Sequence, residues 1–287
     1  MTSKLLITLI FILFSSFSYG KNQTIDFSYE IDRYISKLNS LFSIEVKTRK
    51  AREDQCIFGT GKIENDWTII YCQKDFAIFE NLPVQNNGLI KLLTLIGHEY
   101  SHILIDLTMT EEALETYVQS LNKAALIIET EIMNDLVKVK QLKMVLGFDR
   151  PQLKDSIKHF LGLIHHENMD ALGVKIADMA NYKADPFWPI LTPKFISATG
   201  HPELEFWITP RINNMERALE GGINEWANFN CLGNAFTFKN SNLILRKGLA
   251  RFGEIGILRD LDSGCSTEGV VKTFYEKLDS YATASLW

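Results

Sequence analysis

The chain has 287 residues, 46% of them hydrophobic, with a formal net charge of −5 and four cysteines. That apolar content argues against intrinsic disorder, and the interspersed charges leave no basic stripe with which to hold nucleic acid. No internal repeat or low-complexity linker divides it, so a single domain over residues 21–287 is expected.

Residues 1–20, "MTSKLLITLIFILFSSFSYG", carry one lysine, an apolar run from Leu5 to Phe14, and small residues at Ser18 and Gly20. This is the pattern of a cleaved secretory signal peptide, and the run falls short of the ~20 residues needed to span a bilayer. No later run reaches spanning length, so the mature chain is expected in the periplasm or secreted, without a transmembrane segment. Cys56, Cys72, Cys231 and Cys265 then suit disulfides, with nearest-neighbour pairing the simplest of three connectivities. A loop the size of Cys56 to Cys72 would contribute about 3 kcal/mol in the chain-entropy model. No CxxC pair exists, which leaves a thiolate zinc site or a thioredoxin-type centre without support.

Apolar residues recur at helical spacing from Phe27 to Phe42, predicting an amphipathic opening helix. "CIFGTGKIENDWTIIYC", Cys56 to Cys72, reads as a hairpin stapled at its ends, with "WTIIYC" as its strand. From about Asn87 to Tyr182 the signal is mostly helical, broken at Thr108 to Thr110 and at "GFDRPQ". "DPFWPILTP" reads as loop or irregular cover, and later helices are expected at Arg211 to Phe229 and Thr267 to Ala282. The fold class is therefore α+β and mostly helical, with a small disulfide-stapled hairpin or sheet ahead of the central helix.

Within that helical stretch, "LIGHEYSHILID" places charges where burial is expected. At ~100° per residue, Lys91, Glu99, His102 and Asp106 share one arc with His98, while Leu92, Leu93, Ile96, Ile103 and Leu104 fill the other sides. Burying such a stripe without partners costs several kcal/mol per charge. A metal ion would meet it. His98 and His102, four apart, present two imidazoles to one zinc, and Glu99 stands where a carboxylate can take a proton from zinc-bound water. The bland counterpart is a pair of core histidines satisfied by Asp106 and backbone.

A catalytic zinc usually has three protein ligands and an open position. Ile105 and Thr108 replace the glycine and histidine of the metzincin continuation, so the third ligand must come from later in the chain. The best segment is "LIHHENMDALGVKIAD", where His166 and Asp170 stand four apart and Asp170 can orient a ligating histidine. Glu167 is the alternative third ligand. Glu131 with Asp135, and Glu111 or Glu112, are weaker rivals, and the bland reading of His165 and His166 is a solvated helix face. His201, Tyr182 and Arg211 are candidate oxyanion stabilisers.

The motif helix followed by "ENMDALG" resembles the gluzincin metallopeptidases, in which HExxH precedes a helix bearing a ligand glutamate and, four residues on, an aspartate. More closely, the chain resembles a family of exported metallopeptidase-like proteins known only as a domain of unknown function. The matching pieces are Cys56, "IIYCQ" at Cys72, "HEYSHILID", "NFNC" at Cys231 and "SGC" at Cys265. The chain departs from that pattern in having His166 where the ligand glutamate would fall, and in a longer spacer.

The resemblance implies a zincin-like core, a zinc cofactor, a peptide or protein substrate, and an edge strand at Trp67 to Tyr71 that binds the peptide by strand addition. The expected activity is peptide-bond hydrolysis with Glu99 as general base. The alternative from another class is a non-catalytic periplasmic binding or envelope-maintenance protein on the same fold. Zinc chemistry on a non-peptide amide, as in deformylases, is a third, although the cysteine ligand of those enzymes has no counterpart.

Overall fold

The computed structural model describes residues 27–51, 58–83, 87–108, 111–146, 152–199, 205–220 and 267–284. The expected leader, Cys56, Cys231, Cys265 and His201 lie outside the described residues, as do the side chains of Cys72, Asp106, Glu111, Glu112 and His165. The elements in chain order are α1 Phe27–Phe42, β1 Val46–Ala51, β2 Gly59–Ile63, β3 Asp66–Cys72, α2 Gln73–Glu80, α3 Gly88–Thr108, α4 Glu111–Ile132 and α5 Leu136–Leu146. These are followed by α6 Leu153–Met179, α7 Trp188–Thr199, α8 Glu205–Glu220 and α9 Thr267–Ala284. The fold is α+β and mostly helical, and no described helix is long and apolar enough to cross a membrane.

The sheet has strand order β1-β3-β2, with β1 parallel and β2 antiparallel to β3. β2 and β3 form the expected hairpin. Glu64 and Asn65, at φ 52° and 71°, make its two-residue turn, the primed type whose twist matches that of the strands. The strand at Trp67 to Tyr71 is central, paired on both sides, so it is not the peptide-binding edge that the resemblance implied. The parallel partner β1 removes that edge, and parallel pairing has no local sequence signal.

"DPFWPILTP" is also corrected, since α7 begins inside it and carries Pro193 in its interior. Pro189 is tolerated in the first turn, where its missing N–H has no partner to lose. Burial of Phe187, Trp188 and Leu191 outweighs the break signal of Pro193. α8 starts earlier than expected, at Glu205, and residues 221–229 of the predicted helix lie outside the described ones.

Two apolar clusters form the core, and α6 runs through both. Its later half, with Met169, Leu172 and Ile176, packs with Leu92, Ile96 and Tyr100 of α3 and with Tyr34 and Leu38 of α1. Its earlier half, with Ile157, Phe160 and Ile164, packs with Ile128 of α4, Val145 of α5 and Phe274 of α9.

The crossing of α3 and α6 sets up everything that follows. A Cβ on Gly173 would stand 2.6 Å from the His98 backbone nitrogen, and one on Gly97 would stand 2.8 Å from the Gly173 carbonyl oxygen. Only glycine at both positions lets the two backbones meet this closely, because the clashing atoms are rigid main chain. Gly173→Ala should therefore destabilise the protein by about 1–3 kcal/mol or more through overpacking. Urea unfolding would show this, and an unchanged midpoint would mean that the helices can part without penalty.

Candidate metal centre

The 21-residue α3 is buried almost all round, with Leu92, Leu93, Ile96, Tyr100, Ile103 and Leu104 fixed in apolar packing. Its packing settles which way His98, Glu99 and His102 face. The close crossing then brings the turn of α6 around His166 and Asp170 alongside. Ring nitrogens of His98, His102 and His166 all lie within 4.8 Å of one another; His98 is buried, His102 half-buried and His166 exposed. The His166 ring centroid is 5.7 Å from that of His98 and 5.1 Å from that of His102. Three histidines predicted as ligands thus converge from two helices.

The three histidines could hold a metal ion, and two of them already have the spacing of zinc ligands. The Nε2 atoms of His98 and His102 are 3.3 Å apart. Two nitrogens bound to one tetrahedral zinc at ~2.0–2.1 Å stand ~3.3–3.4 Å apart. That spacing would also suit a ring N–H···N hydrogen bond between them, but such a bond gives no reason for the third imidazole.

Asp170 supplies a further reason. Its Oδ1 lies 2.8 Å from His98 Nδ1. The contact is short, though its geometry is not that of a well-aligned hydrogen bond. A carboxylate at that distance favours the proton on Nδ1 and leaves the Nε2 lone pair facing the other two rings, as ligation requires. Asp170 was expected to back His166, one turn before it, but backs His98 across the crossing instead.

Asp170 is fully buried and heavily held. Arg211 donates through Nε to Oδ2 at 2.6 Å and through Nη2 to Oδ1 at 2.9 Å, and Trp188 Nε1 donates to Oδ2 at 3.1 Å. The Arg211 guanidinium also stacks 4.0 Å over the Trp188 ring. Burial alone would raise the pKa of Asp170, but the charges of Arg211 and His98 outweigh it and hold the carboxyl below the usual range. Arg211 is thus taken up by Asp170 rather than presented to substrate. Nothing in the sequence links Arg211 or Trp188 to Asp170: a buried aspartate requires a cation, but 30 lysines and arginines could supply it.

Glu99 is nearly buried, and desolvation pushes its pKa up, with the charges of His98 and Arg211 opposing and that of Asp170 adding. A raised carboxyl suits a group that must hold and release a proton near neutrality.

Glu167, the alternative ligand, points elsewhere. Its carboxylate accepts hydrogen bonds from Lys277 Nζ and Tyr281 Oη of α9, each at 2.6 Å, and its carbonyl accepts one from Asn214 Nδ2 at 3.1 Å. It anchors α6 to α8 and α9. The remaining rivals also have other partners. Asp135 Oδ1 caps α5 by accepting from Val137 N and Lys138 N, and Glu131 accepts from Tyr275 Oη at 2.8 Å. Lys91 pairs with Asp185 at 2.8 Å, and Tyr182 packs on Tyr34 beneath Lys37.

Set against protein-family models, curated proteins and solved structures, the chain finds no match, so its chemistry has to be read from this geometry alone.

Proposed function

We propose that this chain is an exported, zinc-dependent metallopeptidase of gluzincin-like organisation, with a zincin-like core built from the sheet, α3 and α6. The observation that carries the reading is the convergence of His98, His102 and His166 beside the buried carboxyl of Glu99. Bound there, zinc would polarise a peptide carbonyl and bring the pKa of a coordinated water towards ~7. His98, His102 and His166 would hold it, with Glu167 engaged in its contacts to α9.

The chain's own groups account for the rest. Glu99 takes the proton of the attacking water and passes it to the leaving amine. Asp170, fixed by Arg211 and Trp188, keeps the His98 ring oriented through the cycle. Since β3 is central, strand addition by a peptide falls to β2, an outer strand of the described sheet that packs on α3. The leader at residues 1–20 and the even cysteine count support a periplasmic or secreted site of action.

Glu99→Gln tests the proposal. Hydrolysis of fluorescent casein and of a quenched peptide library should fall by at least ~10²-fold, while zinc content and thermal midpoint are kept. Undiminished hydrolysis in that variant would remove Glu99 as the general base, and no hydrolysis by the zinc-loaded wild type would place the chain with binding proteins instead.

A further inference from the structure

Gly162 stands in the middle of α6, one turn before His166. An exposed glycine inside a helix is the most destabilising residue there after proline, because it loses the most backbone freedom on folding. Gly97 and Gly173 have a visible reason to be glycine, the backbone contact at the crossing of α3 and α6. Gly162 has none of that kind. It is exposed, its backbone is not in the left-handed region, and a Cβ built on it would meet no heavy atom within 4 Å. Folding alone would therefore favour alanine or a longer side chain at this position.

What distinguishes Gly162 is its place. Residues four apart on a helix share a face and are separated by ~6 Å along its axis. Gly162 thus lies on the exposed face that also presents His166 to the trio, about two extended residues of a peptide away. Its neighbours Leu161 and Leu163 turn inward into the core. The bare backbone at Gly162 leaves that face open one turn from His166.

We infer that Gly162 is a specificity-determining residue that keeps a substrate channel open across α6, so that a peptide reaching the metal passes over the helix at this turn. This rests on the metallopeptidase reading above and adds to it which face of the molecule the peptide crosses. It predicts opposite signs for folding and recognition.

The test uses the zinc-loaded mature chain and two probes, acetohydroxamate, which engages the metal alone, and a tripeptidyl hydroxamate, which also needs room on either side of it. Gly162→Ala should raise the thermal midpoint of the metal-free chain by ~2 °C, since a helix former replaces glycine in open space. Gly162→Leu should weaken the tripeptidyl hydroxamate at least ~tenfold and leave acetohydroxamate and zinc affinity unchanged. Equal affinity of the tripeptidyl probe for wild type and Gly162→Leu overturns the inference while the metal site stands. Failure of acetohydroxamate to bind wild type removes the metal reading, and the inference with it. A lower thermal midpoint in Gly162→Ala would show that the glycine serves the fold, and overturns the inference too.

Discussion

Arg211→Ala is expected to lower the free energy of unfolding by about 3–5 kcal/mol at neutral pH, the usual result of removing one member of a buried ion pair. Asp170 has no exposure and Arg211 only 3%, so water cannot take over the lost contacts. Among the described residues, Trp188 Nε1 and the His98 ring would remain beside it, and Trp188 would lose the guanidinium stacked on it. The sign with pH follows from the depressed pKa of Asp170. A carboxyl held below its unfolded value stabilises the fold above pH ~4, and that stabilisation is lost as pH falls through the folded value. The gap between wild type and Arg211→Ala should therefore be widest near neutrality and narrow below pH ~4. Urea unfolding across that range measures it. Arg211→Met combined with Asp170→Asn should recover part of the loss, because no unpaired charge is left behind.

Zinc should raise the thermal midpoint of the mature, metal-free chain. At free zinc a thousandfold above Kd the linkage is about 4 kcal/mol, on the order of 10 °C for a domain of this size. His98→Ala and His102→Ala should abolish the shift, and His166→Ala should remove most of it. Glu167→Ala should behave differently. It strips Lys277 and Tyr281 of their shared carboxylate and so begins from a lower midpoint, yet keeps the zinc-induced rise. The reverse pattern, with zinc response retained in His166→Ala and lost in Glu167→Ala, would reassign the third ligand.

These contrasts show how far the sequence was readable. α1 was legible to the residue, and α3, α6 and the hairpin nearly so, because apolar periodicity and turn residues are local signals. HExxH was legible because its two imidazoles must lie on one helical face, which spacing alone guarantees. His166 could be placed on α6, but its separation from Glu167 depended on which face of α6 meets α3. That was fixed by Gly97 and Gly173, whose significance appears only when two backbones are seen to touch. The attachment of Asp170 to His98, the recruitment of Arg211 and Trp188, and the pairing of β1 with β3 are long-range in the same sense. α7 escaped notice for a different reason, since burial of its aromatic start overrode the proline that argued against it.

α6 belongs to two apolar clusters, and His166 falls between them, after Ile164 in one and before Met169 in the other. An ion held by His166 together with His98 and His102 would rivet the seam between these two clusters, each of which is expected to open as a unit of its own. Fluctuation of either unit alone would then suffice to release it. Slow extraction by a chelator should accordingly follow the rate of such sub-global openings, as seen by amide exchange along α6, and not the far slower rate of complete unfolding.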